Sequence, residues 1–233
     1  MASAYGKIAR PSPARAGAMA GILPLERQLK DNTTVRVFHI SQEQEDGAIF
    51  APQFPKLVSR MHTLFNAELE DGNTYPQEEL LDDTQFRAYF LAYDAFVVVQ
   101  VSTMSVGDGV LVLDDGTADW EAHLLGFFYV KPNFPGRCSH ICNGGFFTAP
   151  VARNRGVGRC MAEAFLKVAP SLGYKSSMFN LVFVNNAASV KLWRSLGFRE
   201  IGLIPKAGRL RSSPELVDAI MFYYDFTQGN EAL

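Results

Sequence analysis

The sequence predicts one α/β domain, and three observations carry that reading. Short β-branched or apolar runs bounded by turn residues recur between residues 35 and 224, as core strands do. Between several of these runs, apolar residues return at helical spacing, the mark of helices with one buried face. No internal repeat and no linker-like stretch divides the chain after its first 30 residues, so domain boundaries of 1–30 for a tail and 31–233 for the folded unit are expected.

Taken in order, the first segment holds Lys7, Arg10 and Arg15 with no acid before Glu26. Pro11, Pro13 and Pro24 interrupt any amphipathic helix there, which favours a flexible tail over a mitochondrial targeting peptide. A cytoplasmic location is expected, with the mitochondrion as the alternative. Residues 35–40 read as a strand. Leu57, Met61, Leu64, Phe65 and Leu69 then recur at helical spacing, and Leu80, Leu81, Phe86, Tyr89 and Phe90 do so more loosely, which predicts two helices. Residues 95–101 and 124–130 are apolar runs joined by Gly-, Asp- and Thr-containing sequence, hence two core strands and a connecting loop. Residues 144–148 predict a strand closed by Pro150. Val157, Met161, Ala164, Phe165 and Val168 make one face of a helix that Gly173 ends. A strand over 177–184, a short helix over 187–196 closed by Gly197, and strands over 198–204 and 217–224 complete the chain, with a loop over 205–214.

A formal net charge of −2 and a pI near 6.1 give no basic excess for a nucleic-acid or anionic-membrane partner. No run approaches the ~18 apolar residues of a membrane span. Three cysteines cannot all pair within one chain, which favours a reducing compartment.

Chemistry enters at Arg153-Asn154-Arg155-Gly156-Val157-Gly158. A strand feeding a glycine turn that opens a helix makes an anion site, because the first-turn N–H groups lack partners and the helix dipole is positive there. Gly156 and Gly158 let the backbone approach a diphosphate, and Arg153 and Arg155 can add charge-assisted contacts. The loop lacks the Gly-Lys-Ser/Thr ending of a P-loop and does not match the dinucleotide glycine fingerprint. Nucleoside triphosphates and NAD are therefore disfavoured.

In context, Pro150-x-x-Arg153-x-x-Gly156-x-Gly158, followed by Asn186, Leu192, Trp193 and Leu196-Gly197-Phe198, resembles the acetyl-CoA signature of the GNAT superfamily. Thr74-Tyr75-Pro76-Gln77, Phe128-Tyr129-Val130-Lys131-Pro132-Asn133, Arg137-Cys138-Ser139-His140, Cys142-Asn143 and Phe179-Asn180-Leu181-Val182-Phe183-Val184 resemble fungal azetidine-2-carboxylate N-acetyltransferases, which act on proline analogues. The resemblance implies a mixed, mostly antiparallel central sheet flanked by helices, splayed to form a coenzyme cleft. It implies acetyl-CoA as cosubstrate, no metal, a small-molecule amine substrate, a homodimer, and a role in detoxification or stress tolerance. The alternatives are a protein or peptide N-acetyltransferase and an acetyl-CoA-binding regulatory module.

The resemblance also implies site residues. Phe146, Phe147 and Thr148 serve the thioester oxygen and pantetheine arm through backbone N–H groups, and Arg153, Arg155, Gly156, Val157 and Gly158 hold the diphosphate. Asn180 is the lone polar side chain in its strand. It is either a structural amide paired within the fold or, with Asn143, the binder of the substrate carboxylate and a catalytic group. Asn143 precedes Gly144-Gly145 and also suits a turn; Tyr75 suits a pocket wall or a packed turn. Asn186 suits an N-cap as well as contact with the coenzyme and alignment of the reacting groups. Where many relatives carry a tyrosine that protonates the departing thiolate, this chain has Trp193, whose indole N–H is no useful acid. Trp193 is left as a core or coenzyme-packing aromatic. Cys138, His140 and Cys142 would share one face of an extended chain, but no fourth ligand is evident for zinc. Lys206, Arg209 and Arg211 read as a solvated face on a loop that could cover the substrate.

Overall fold

A computed structural model gives the fold and describes residues 8, 19, 21–103, 105–107 and 110–228. The elements run β1 (Leu25–Gln28), β2 (Thr34–Ser41), β3 (Ile49–Phe50), α1 (Pro55–Asp71), α2 (Asp83–Phe90), β4 (Asp94–Gln100), β5 (Ser105–Gly107) and β6 (Val110–Val112). They continue with α3 (Trp120–His123), β7 (Leu124–Pro132), β8 (Ile141–Thr148), α4 (Val157–Ser171), β9 (Ser176–Phe183), α5 (Ala187–Ser195), β10 (Arg199–Gly208) and β11 (Val217–Asp225).

Among the described residues the main sheet runs β1-β2-β4-β7-β8-β9-β11-β10, with β3 beside β2 and a separate β5–β6 hairpin. Its pairings are antiparallel except β2–β3 and β8–β9. This is the mixed, mostly antiparallel sheet that was expected. Alternation along the central strands sorts the aromatic side chains by face. Phe127, Tyr129 and Phe147 meet Phe90 and, in the case of Phe147, Phe65 from α2 and α1. Phe128 stacks on Phe146, which meets Phe165 of α4 on the other face. Gly126 sets how closely α4 approaches: a Cβ there would stand 2.8 Å from the Phe147 carbonyl oxygen and 2.9 Å from Val157 Cγ1. Only a glycine leaves that space.

Several boundaries differ from expectation, each for a local reason. The expected tail reaches residue 30, yet β1 lies inside it. Leu25–Gln28 alternates half-buried and exposed and pairs with β2 from Leu25↔Val37 to Gln28↔Thr34; most of the earlier part of the tail lies outside the described residues. Helix α2 begins after Leu80 and Leu81, because Asp82 caps it by accepting from Gln85 N–H while the Gln85 side chain accepts from Asp82 N–H. The connection after β4 contains the β5–β6 hairpin and α3. Strand β10 continues past residue 204 to Gly208 through a register shift at which Lys206 takes a positive φ of 53°. The long loop therefore begins later than expected, and it docks on the end of α1, next to Thr74 and Tyr75: Arg211 N–H donates to the Gly72 carbonyl at 3.1 Å, and Ser212 N–H to Asn73 Oδ1 at 2.8 Å.

Candidate active site

The site begins where the sheet fails to close. Parallel strands β8 and β9 pair only at Ile141↔Ser176 and Cys142↔Ser177, although they continue to Thr148 and Phe183. On its other side β8 stays paired with β7 throughout. Asn133 N–H donates to the Ile141 carbonyl and Ala149 N–H to the Leu125 carbonyl. Alternation of the antiparallel ladder then turns the backbone groups of residues 143, 145 and 147 toward β7 and those of Gly144, Phe146 and Thr148 toward the gap. Gly144 N–H is taken by Asn143 Oδ1 at 2.8 Å. The N–H groups of Phe146 and Thr148 remain for a ligand. Phe147, expected among these donors, is corrected: its N–H serves β7 and its buried ring packs among Phe65, Tyr75 and Phe90.

At the far end of β8, Pro150–Ala152 turns the chain into the glycine loop, where Asn154 and Gly156 take φ of 64° and 101°. The first backbone bond of the α4 ladder runs from Cys160 N–H to the Gly156 carbonyl. The N–H groups of Val157, Gly158 and Arg159 therefore find no backbone partner among the described residues, which is the expected donor set for an anion. A Cβ on Gly158 would stand 3.9 Å from Thr148 Oγ1 and 3.8 Å from Leu192 Cδ2, so this first turn sits beside the open end of β8 and beside α5. A diphosphate linked to an arm that follows β8 fits this arrangement.

The two arginines of the loop are otherwise engaged. Arg155, expected at the diphosphate, ties the loop to the turn before β2: its Nε donates to Asp31 Oδ2 at 2.5 Å and its Nη2 to Thr33 Oγ1 at 2.8 Å, while its carbonyl accepts from Lys30 N–H. Thr33 donors, then Arg155, pull the Asp31 carboxyl down to about 2. Arg153 is exposed and forms an ion pair with Glu68 at 3.3 Å. Val157 contributes backbone alone, since its side chain is buried against Gly126.

On the α1–α2 face the gap widens into a cavity of about 330 Å³ lined by Tyr75, Tyr129, Lys131, Asn143, Asn180 and Asn186, among others. That size is at the small end for ligand pockets. Tyr75 and Tyr129 share a hydroxyl bond of 3.0 Å, and the Tyr89 hydroxyl lies 3.3 Å from that of Tyr129. Burial holds the Tyr75 and Tyr129 phenols well above their ordinary range, so both stay protonated donors. Glu68 also lines the cavity, accepting from Thr74 Oγ1 at 2.5 Å.

The asparagines divide by role. Asn180 and Asn133 exchange two amide bonds, 2.8 Å from Asn133 Nδ2 to Asn180 Oδ1 and 2.7 Å in return. The structural reading of Asn180 is thus met, and the amide still lines the cavity. Asn143 spends its oxygen on Gly144, which leaves its amide N–H groups for a ligand. Asn186 is the N-cap of α5, accepting from Ser189 N–H at 3.1 Å, and it also borders the cavity. Trp193 is 4% exposed, packs among Phe146, Phe179 and Phe198, and donates its indole N–H to Ser189 Oγ at 2.9 Å. It is first a core residue, with one edge on the cavity.

Four residues of this neighbourhood were not singled out from sequence: Asn133, Lys131, Glu68 and Ser189. The Lys131-Pro132-Asn133 run was the available signal, but only the β7–β8 register places Lys131 opposite Asn143. Cys138, His140 and Cys142 do not share a face. Gly136–Cys138 is a 3-10 turn with Cys138 exposed, and Cys142 is fully buried. Among the described residues no group of three such side chains is placed to hold a metal ion.

The Acetyltransferase (GNAT) family model matches residues 61–198, more than half of the chain. The chain is 42% identical over 180 residues to N-acetyltransferase aca1 of Schizosaccharomyces pombe, covering 76% of this chain and 84% of that one. Among solved structures, a GCN5-related N-acetyltransferase from Kribbella flavida superposes with a TM-score of 0.59 at 25% identity, covering 82% of this chain and 97% of the other. The structure of yncA, a putative acetyltransferase from Salmonella typhimurium with its cofactor acetyl-CoA, gives 0.59 at 15% identity, over 76% and 93%.

Proposed function

Because the chain belongs to the GNAT acetyltransferase family, and is thus an acetyl-CoA-dependent N-acetyltransferase, we propose that its acceptor is a small cyclic secondary amine bearing a carboxylate. Azetidine-2-carboxylate, other proline analogues and proline-pathway intermediates are of this class. The observation that carries the proposal is the small cavity at the β8–β9 gap, which Asn143 lines together with Phe146 and in which the Asn143 amide N–H groups have no partner among the described residues.

In this reading the coenzyme diphosphate takes the N–H groups at the start of α4, and its arm follows the edge of β8. Bound acetyl-CoA supplies the activated acetyl group. The N–H groups of Phe146 and Thr148 polarise the carbonyl oxygen as it gains charge. Asn143, with the outer N–H of Asn180, orients the substrate carboxylate, so that the amine nitrogen faces the carbonyl carbon. Trp193 moves no proton, because its N–H is committed to Ser189. Rate therefore comes mainly from positioning and carbonyl polarisation.

The test is release of free thiol from acetyl-CoA against a panel of proline analogues, primary amino acids and histone-like peptides. Turnover of the cyclic amino acids is expected. Turnover confined to peptides would sink the proposal.

A further inference from the structure

The cavity holds a charge that the family signature does not explain. Lys131 lies on β7 directly opposite Asn143 in the register, on the face that carries Tyr129, and it lines the same cavity. Its Nζ stands 4.2 Å from the centre of the Tyr89 ring and 4.4 Å from that of Tyr129. Such contacts stabilise and aim an ammonium group but do not neutralise it. Among the described residues no carboxylate pairs with Lys131, and the acid that shares its cavity, Glu68, is committed to Arg153 and Thr74. The Tyr75 and Tyr129 hydroxyls, which burial holds in the protonated form, offer no counter-charge either. The result is an ammonium fixed between two rings, facing a small cavity, opposite an asparagine that lines the same cavity and whose oxygen, not its N–H groups, is taken by Gly144. A charge placed this way is electrostatically complementary to an anionic group on the ligand.

We infer that Lys131 is the specificity residue for the acceptor's carboxylate, supplying the charge while Asn143 supplies direction. This inference rests on the proposed acceptor class and deepens it. An asparagine pair alone would accept a carboxylate and a carboxamide with similar ease, because both present an oxygen acceptor. A fixed ammonium separates them, because only the carboxylate carries charge.

The experiment compares kcat/KM for an acid and its matching carboxamide, azetidine-2-carboxylate and azetidine-2-carboxamide or the pair from whichever panel amine turns over fastest. The comparison is made in the wild type, Lys131→Met, Lys131→Gln and Lys131→Arg. The wild type should prefer the acid. Both neutral variants should lose that preference by about 10- to 100-fold, the range of a charge-assisted hydrogen bond. Their rates on the amide and their acetyl-CoA KM should stay within about threefold, as expected when only ground- and transition-state contacts to the acid are removed. Lys131→Arg should keep most of the preference. A wild type that does not distinguish acid from amide overturns the carboxylate-bearing acceptor class and this inference with it. A wild type that prefers the acid, with neutral variants that keep the preference, overturns the role of Lys131 alone. So do neutral variants that lose acid and amide turnover in equal proportion, since that is the behaviour of a merely structural residue.

Discussion

Substitution of Gly145 by alanine tests whether the wall of the acceptor cavity is as tightly set as its geometry implies. Gly145 lies opposite Tyr129 in the β7–β8 register. Its φ is not in the left-handed region, so alanine meets no backbone penalty there. The methyl group itself is the problem: it would overlap the Tyr75 hydroxyl and stand 2.6 Å from Cε1 and 2.7 Å from Cζ of Tyr129. Neither ring can retreat freely, because Tyr75 packs on Phe65 and Phe147 and Tyr129 on Phe90. Overpacking of this kind costs ~1–3 kcal/mol, and parting the buried hydroxyl pair adds ~1 kcal/mol or more. A loss of about 3 kcal/mol lowers Tm by ~6–12 °C in a domain of this size. Tyr75→Phe removes the atom that the methyl meets first, so Gly145→Ala should cost less in that background, with a coupling of ~1–2 kcal/mol. Thermal and urea unfolding of the wild type, both single variants and the double variant measures it. Strict additivity would show that the hydroxyl is not the obstacle and would refute the packing argument. The amine KM should rise in Gly145→Ala while the acetyl-CoA KM changes little, since the methyl points to the amine side of the strand.

Three further outcomes are expected. Asn143→Ala raises the amine KM more than the acetyl-CoA KM in steady-state kinetics, and the opposite order would reject carboxylate binding by this residue. Asn186→Ser keeps the N-cap and leaves Tm nearly unchanged, while Asn186→Ala loses ~1 kcal/mol of capping. If both raise the acetyl-CoA KM equally, the amide has a ligand role separate from the cap; if neither does, it is a cap alone. The Asp31 carboxyl, pulled from 3.8 to about 2 by Thr33 and Arg155, favours the folded state above its unfolded pKa and loses that contribution as pH falls through the folded value. The Tm gap between wild type and Asp31→Asn should therefore hold steady from neutral pH to about 4 and close between about 4 and 2; a gap independent of pH would discard the Thr33 and Arg155 contacts to this carboxylate taken together.

The contrast between Gly156 and Arg155 shows where the sequence is legible. The glycine loop could be read directly because its chemistry is local: a strand end, a left-handed turn at Gly156 and an uncapped first helical turn lie within one short stretch. The partner of Arg155 lies 124 residues away at Asp31, and nothing in the loop's own composition separates an arginine facing a diphosphate from one facing an aspartate. The same holds at Asn180. That a lone polar side chain in an apolar strand must find a partner follows from the cost of burying an amide, but that the partner is Asn133 follows only from where the end of β7 meets β9. Helix spacing likewise anticipated α1 and α4, whereas β1 was hidden in an acid-poor, proline-broken segment and becomes a strand only because β2 offers it an edge. Lys131 is the sharpest case. In sequence it is one more charged residue at a strand end, of the sort that usually faces water. Its meaning appears when the ladder puts Asn143 across from it and α2 brings Tyr89 over its ammonium. In the proposed reading, coenzyme recognition is thus written in contiguous residues, while acceptor recognition is assembled by register across β7, β8 and β9, and substitutions that alter which amine is taken should fall on those three strands and the tyrosines packed against them.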